Sequence, residues 1–329
     1  MAHLVPRMHV FEIADSPWFP SFLRAYMQAA LTAAWTTHIP FLQTSSPAQL
    51  VARLLRTHLS PGLHSYTFID FCAGGGGPTP SIERHLNGPI TSHQGPAESG
   101  GAASDEQVSR RRGGGGGAGG QEEREEEEKQ PLQFVLTDLH PHVDLWAKAA
   151  ARSPNLSYVP NPVDAASVPR DLVRRYRGPE GTKKVFRLFN LAFHHFDDAL
   201  ARRILRDTVE GGGDGFGIFE LQDRGMAGFL SCCLFGIGTL IMAPYYALLW
   251  GAPLALLFTY LLPVLPAVLV FDGWMSCLRT RTSDEVEALL RTCGAEGGEA
   301  EIAKWEVKSG SEMFMWPVGR VNWIICVKR

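Results

Sequence analysis

Between residues 66 and 220 the chain alternates short apolar runs with amphipathic stretches. Tyr66–Phe71, Phe134–Asp138, Leu156–Pro160, Val185–Phe193 and Phe216–Glu220 are aromatic or β-branched and lack helical spacing. Such runs read as strands, and the uninterrupted 185–193 run as one buried on both faces. Between them, Ser81–Leu86, Trp146–Ala151 and Ala199–Val209 predict helices, the last opened by Asp197 or Asp198. Strands alternating with helices predict an α/β fold on a parallel sheet. Further on, Ser283–Leu290 predicts an amphipathic helix, and Ala303–Val307 and Val321–Val327 two closing strands. Ahead of the first strand, Phe22-Leu23, Tyr26-Met27, Leu50-Val51 and Leu54-Leu55 predict helices within residues 8–60. Pro17, Pro20, Pro40 and Pro47 cut that region into pieces.

Two stretches interrupt the alternation. Residues 88–130 are mainly Gly, Ser, Arg and Glu, with an acidic run at Glu122–Glu128. They hold too little apolar surface to order themselves, which predicts a disordered insertion. Phe229–Trp250 and Leu254–Phe271 contain no charged residue. Each approaches the roughly 20 residues that cross a bilayer as a helix. With Trp250-Gly251-Ala252-Pro253 as the turn, they predict a transmembrane hairpin over residues 229–271. A buried helical pair in a water-soluble dimer is the alternative, and Pro244, Pro263 and Pro266 also allow a re-entrant pair. Arg224 precedes the hairpin and Arg279 and Arg281 follow it, while the turn is uncharged. The positive-inside bias then predicts a two-span intracellular membrane protein whose remaining mass faces the cytosol.

Charge and cysteine content narrow the partners. The 329 residues carry 31 Lys+Arg against 34 Asp+Glu, and no basic stripe with interleaved aromatics is present. Nucleic acid is therefore not an expected partner. The six cysteines show no paired spacing and read as reduced thiols of an intracellular protein. The first residues lack the pattern of a signal peptide, so none is expected.

Candidate chemistry concentrates after the first strand. Asp70 is followed by Gly74-Gly75-Gly76-Gly77, then by Thr79 as a possible helix cap and Pro80 at the first helical position. Strand, glycine loop and helix make a nucleotide-binding turn. The dinucleotide fingerprint would place its third glycine at Thr79, which disfavours a nicotinamide cofactor. Asp70-x-x-x-Gly74-x-Gly76 instead resembles the first motif of class I S-adenosylmethionine-dependent methyltransferases, with Cys72 where that family usually has its first glycine.

The resemblance covers about residues 66–329, apart from the two interrupting stretches. It implies a doubly wound, mostly parallel seven-stranded sheet with an antiparallel last strand, and S-adenosylmethionine as cofactor. Asp70, Cys72, Gly74, Gly76 and Asn190 would border the cofactor, and Asp138 would take its ribose. Asp164 would contact the adenine amino group, or would simply cap a turn. His194-His195-Phe196 resembles the strand-four ending that borders the substrate pocket in that family. His194 and His195 are the candidate catalytic bases, because histidine exchanges protons near neutral pH; backbone hydrogen bonding is their other use. Glu220 and Asp223 are weaker candidates. His140, His142 and Asp144 lack a convincing fourth ligand, so no metal is expected. The early aromatics Trp18, Phe19, Trp35 and His38 either cover the cofactor, as the helical segment of such enzymes does, or pack on the domain.

The chain as a whole, hairpin included, also resembles a group of fungal membrane-associated methyltransferase-like proteins, a likeness that implies no substrate. The expected organisation is a helical cap over 1–60, a core over 61–228, the hairpin over 229–271 and completion of the sheet over 272–329. The expected function is methyl transfer to a small or lipophilic acceptor at a membrane. A catalytically silent binding or scaffold protein, with Cys72 as a sign of decay, is the alternative.

Overall fold

Seven strands form one sheet in the order β3-β2-β1-β4-β5-β7-β6 in the computed structural model, which describes residues 5–88, 130–178 and 181–329. The expected insertion lies outside these residues, apart from its ends. In chain order the elements are α1 (Ser21–Thr36), α2 (Pro47–Leu59), β1 (Tyr66–Phe71), α3 (Thr79–Asn87) and β2 (Gln133–Thr137). Then come α4 (Val143–Ala150), β3 (Leu156–Tyr158), α5 (Arg170–Tyr176), β4 (Lys184–Asn190), α6 (Asp198–Glu210) and β5 (Gly215–Glu220). The hairpin follows as α7 (Met226–Leu249), α8 (Leu254–Leu261) and α9 (Val264–Arg279). The chain closes with α10 (Ser283–Arg291), α11 (Gly298–Ile302), β6 (Trp305–Met315) and β7 (Gly319–Lys328).

The first five strands are mutually parallel, and β7 runs antiparallel between β5 and β6. This is the sheet that the sequence predicts, with the closing strands longer than expected. Alternating side chains of the central strands feed two cores. Ile69, Phe71, Val185 and Phe189 pack with α6 and α10 on one face; Phe68, Phe186 and Leu188 pack with α2, α3 and α4 on the other. Burial on both faces explains why these strands read as unbroken apolar runs. Arg187, wholly buried in β4, keeps its charge by pairing with Asp207 at 2.9 Å.

Three local expectations change. Thr79 is the first residue of α3 rather than its cap, because its hydroxyl is used by Asp70. The β4 strand stops at Asn190, since Leu191 turns into the left-handed region (φ 52°) and Phe193–His195 form a 3-10 turn. The second apolar arm is not one straight helix: α8 and α9 meet at Leu262-Pro263 with a 72° bend, where Pro263 cannot donate to the preceding turn.

A third cluster forms outside the sheet. Phe19, Leu23 and Met27 pack against Ala255, Leu265, Val268 and Leu269. So α1 lies on the hairpin. Trp35 is buried in the α2-side core, whereas Trp18 is exposed. The packing reading of the early aromatics is the one that holds for Phe19 and Trp35.

Candidate functional site

The carboxyl end of β1 brings the cofactor candidates together. Asp70 is buried, and its Oδ2 accepts hydrogen bonds from the Thr79 hydroxyl and, at 3.3 Å, from the Asn190 amide. Asn190 also donates to Thr79 at 3.0 Å. Burial pushes the Asp70 carboxyl up to about 7, against the opposing pull of the Thr79 and Asn190 hydrogen bonds. The other oxygens of this group, Oδ1 of Asp70 and Oδ1 of Asn190, are buried without a hydrogen-bond partner. A buried acceptor without a partner is costly unless a donor reaches it.

That environment has a measurable consequence. The folded chain retains the Asp70 proton in a range where the unfolded chain has lost it. Stability from this group is therefore full below about pH 4 and falls as pH rises towards about 7. Asp70→Asn cannot ionise, so it should gain on the wild type by up to about 4 kcal/mol between those limits. Urea melts across that pH range check it; a constant difference between the two proteins refutes the account.

Above Asp70 the loop is shaped by left-handed residues. Cys72, Gly74, Gly76 and Gly77 have φ of 66°, 51°, 108° and 50°. Cys72 thus takes the conformation that its motif position assigns to glycine, at a cost of about 1 kcal/mol. Burial pushes its thiol well above the ordinary range, so it is no ready nucleophile. A Cβ on Gly74 would meet open space, and the loop lies open on that side.

The loop is tied down from β2. Asp138 accepts from Gly74 N–H at 2.9 Å through Oδ2 and from His140 N–H at 2.8 Å through Oδ1. The Trp146 indole donates to the Gly74 carbonyl at 2.8 Å. Each Asp138 oxygen keeps a second lone pair for a hydroxyl donor. Asp164 is exposed and accepts from Ala166 N–H at 2.8 Å, the turn-capping geometry; Val163 N–H reaches the Asp138 carbonyl at 2.9 Å.

Four residues beyond Asn190 a second arrangement begins. His194 is buried, and its Nδ1 lies 2.9 Å from Glu220 Oε2. A carboxylate only accepts, so Nδ1 carries a proton; in the neutral imidazole the lone pair is then on Nε2. The Gln222 amide donates to the same Glu220 oxygen at 3.1 Å. Opposite Nε2, at 3.8 Å, stands Glu12 Oε1, held by Arg279 Nη1 and by the Ser276 hydroxyl, both at 2.9 Å. Asp272 fixes the strap carrying Glu12 by accepting from Ile13 and Ala14 N–H at 2.7 and 2.9 Å.

His195 is half-buried, with Nδ1 3.2 Å from Asp15 Oδ2. Burial pulls its pKa down, but the Asp15 hydrogen bond and the Glu12 and Asp15 charges outweigh that and raise it. For Asp15, burial acts upward and is outweighed by the His195 hydrogen bond and charge, giving a lowered value. Arg281 holds the His194–His195 turn through the carbonyls of Phe193 and Phe196 at 3.1 and 2.7 Å.

Glu12, His194 and His195 could each point one ligand atom at a shared point. Arg279 sits on the same Glu12 oxygen at 2.9 Å, a charge that would oppose a cation there.

Glu12, Asp15, His194, His195 and Asp272 line a 440 Å³ cavity bounded by α1, α7 and α9, which Leu191 and Gln222 also line. Both predicted histidines line it; the glycine loop, Asp138 and Asp164 do not. Glu12, Asp15, Asp272 and Arg279 were not predicted as site residues. They come from the strap and from the end of the hairpin, and no local motif marks them.

No family model and no curated protein matches the chain. Among solved structures, the chain is similar to a candidate O-methyltransferase of Nostoc punctiforme, with 13% identity, a TM-score of 0.46, and coverage of 98% of this chain and 64% of that one. It is similar to an S-adenosylmethionine-dependent methyltransferase of Anabaena variabilis, with 11% identity, a TM-score of 0.46, and coverage of 100% and 99%. It is also similar to human N-acetylserotonin methyltransferase, with 10% identity, a TM-score of 0.35, and coverage of 85% and 55%. The chain thus spans about two thirds or less of the first and third of these. Function has to be read from this chain's own residues, because fold alone does not fix it.

Proposed function

We propose that the chain is a membrane-anchored S-adenosylmethionine-dependent methyltransferase acting on a small or lipophilic acceptor. The observation that carries this reading is the adjacency of Asn190 and Leu191 at the end of β4. Asn190 belongs to the group with two unpartnered acceptors below the glycine loop, and Leu191 lines the cavity that holds His194. A cofactor site and an acceptor site would therefore meet at one strand end, where ligands of open α/β sheets bind.

The unpartnered oxygens of Asp70 and Asn190 suit an ammonium group, whose charge would favour the ionised Asp70 carboxylate over its protonated form, and the open side of Gly74 admits a ligand against the backbone. Asp138 would take the ribose hydroxyls and Asp164 the adenine amino group. When bound, S-adenosylmethionine supplies an electrophilic methyl carbon. His194 Nε2 accepts the proton that the acceptor hydroxyl loses, and Glu220 holds the imidazole in the tautomer that allows it. The apolar walls of the cavity exclude water and orient the acceptor. The hairpin would anchor this arrangement in an intracellular membrane, with the sheet facing the cytosol. Arg224, Arg279 and Arg281 are spent on Glu285, Glu12 and Asp198, so they fix the base of the hairpin as well as its charge bias.

The scaffold reading draws on Cys72, yet the loop keeps its shape around that residue. Titration calorimetry with S-adenosylmethionine and with its demethylated product decides between the two. Wild type should bind both, and Asp138→Ala should weaken binding by about 1–3 kcal/mol. A folded wild type that binds neither at millimolar concentration leaves the scaffold.

A further inference from the structure

We propose that the cavity inside the hairpin is a channel for the hydrocarbon chain of a single-chain amphiphile that presents a hydroxyl to His194; this rests on the methyltransferase reading above. The polar end is formed by Glu12, Asp15, His194 and His195, and the far end by Met242, Ala243, Tyr246, Ala247 and Trp250. Residues of α7 and its C-terminal turn line it from Ser231 to Trp250, a run of about 28 Å at 1.5 Å per helical residue. A volume of 440 Å³ beside that run is of the order that one long hydrocarbon chain needs. Small side chains keep the walls apart: Ala30 and Ala34 on α1 face the channel, as do Ala243 and Ala247 on α7.

The polar end selects the headgroup. Arg24 is committed to the carbonyls of Ala14, Ser16 and Phe19, and Arg279 to Glu12. With Arg24 and Arg279 so committed and His195 paired with Asp15, no cation among the described residues lining this end is left for a phosphate or carboxylate headgroup beside Glu12, Asp15 and Asp272. A protonated amine would pair with those carboxylates and hold no free lone pair for the methyl group. A hydroxyl fits, since it donates to Nε2 of His194 and uses its own lone pair in attack. In that step the O–H proton goes to Nε2, an oxygen–methyl bond forms, and the carbon–sulfur bond breaks with its electron pair left on sulfur.

The test is binding without cofactor. The purified chain in lipid nanodiscs is incubated with octanol, dodecanol and hexadecanol carrying a terminal diazirine, irradiated, and the labelled residues mapped by mass spectrometry. Labels should move along α7 with chain length, from near Phe235 and Thr239 towards Tyr246 and Trp250. Ala243→Phe should lower retention of radiolabelled hexadecanol by about tenfold or more and leave octanol and S-adenosylmethionine binding unchanged. Wild-type label mapping keeps the test valid should Ala243→Phe misfold. Labels scattered over the lipid-facing side of α7, or equal retention of palmitate, overturn the channel. Alcohol binding without S-adenosylmethionine binding instead overturns the methyltransferase reading and leaves the channel standing.

Discussion

Replacing His194 by Ala should lower turnover by about 10²–10⁴-fold while leaving S-adenosylmethionine affinity unchanged. His194 lines the cavity with Nε2 towards Glu12, whereas the glycine loop, Asp138 and Asp164 do not line it, so loss of the imidazole should remove a proton acceptor without touching those cofactor candidates. Glu220→Gln should have a smaller effect of a distinct kind. The amide can still accept from Nδ1 but no longer stabilises the imidazolium formed when Nε2 takes a proton, so kcat should fall with KM little changed. His195 differs, because Asp15 and Glu12 favour its charged form. Its contribution to holding the strap is full at low pH and is lost as pH rises through its raised pKa. Turnover is followed as formation of the demethylated cofactor with a total lipid extract as acceptor. If His194→Ala and His195→Ala lose equal activity, His194 has no special role.

The parts of this arrangement legible in the sequence are those built from contiguous residues. The strands feeding both cores, the glycine loop and the His194-His195 turn each carry a local signature, and each was placed at or near its observed position. The β4 strand ends three residues before its apolar run does, because Leu191, Ala192 and Phe193 continue the run while the backbone has already turned at φ 52°. The β6 strand was underread because Lys308, Ser309, Gly310, Ser311 and Glu312 on an exposed edge lack apolar alternation. Glu12 was not recoverable. Its partners Arg279 and Ser276 lie more than 260 positions away, and nothing around it distinguishes it from a surface acid. The position of α1 was obscured for a related reason: Phe19, Leu23 and Met27 announce a buried stripe, but not whether the sheet or the hairpin covers it.

Ile241→Arg should remove the chain from the membrane fraction. Within α7, a 24-residue helix holding an 18-residue window of mean hydropathy 2.0, Ile241 is 70% exposed and Leu248 85% exposed. At 1.5 Å per residue α7 is about 36 Å long, enough for the roughly 30 Å hydrocarbon core. The second arm is different, for α8 is short and meets α9 at 72°. A bent arm of this kind suits either a broken span or a re-entrant segment, whereas α7 is one uninterrupted helix long and apolar enough to cross a bilayer. An arginine near the middle of such a helix costs about 2.5–3.5 kcal/mol on insertion scales. A charge on an exposed face in water would cost nothing comparable, so the substitution separates lipid from solvent around α7. Deleting residues 229–271 is the poorer experiment, because it would also uncover Phe19, Leu23 and Met27 and take away the walls of the cavity. Wild type should stay with the membranes through high salt and alkaline carbonate, whereas Ile241→Arg should appear in the soluble or degraded fraction. Release of the wild type by carbonate alone would mean that α7 packs against another protein surface and that the cavity opens to water.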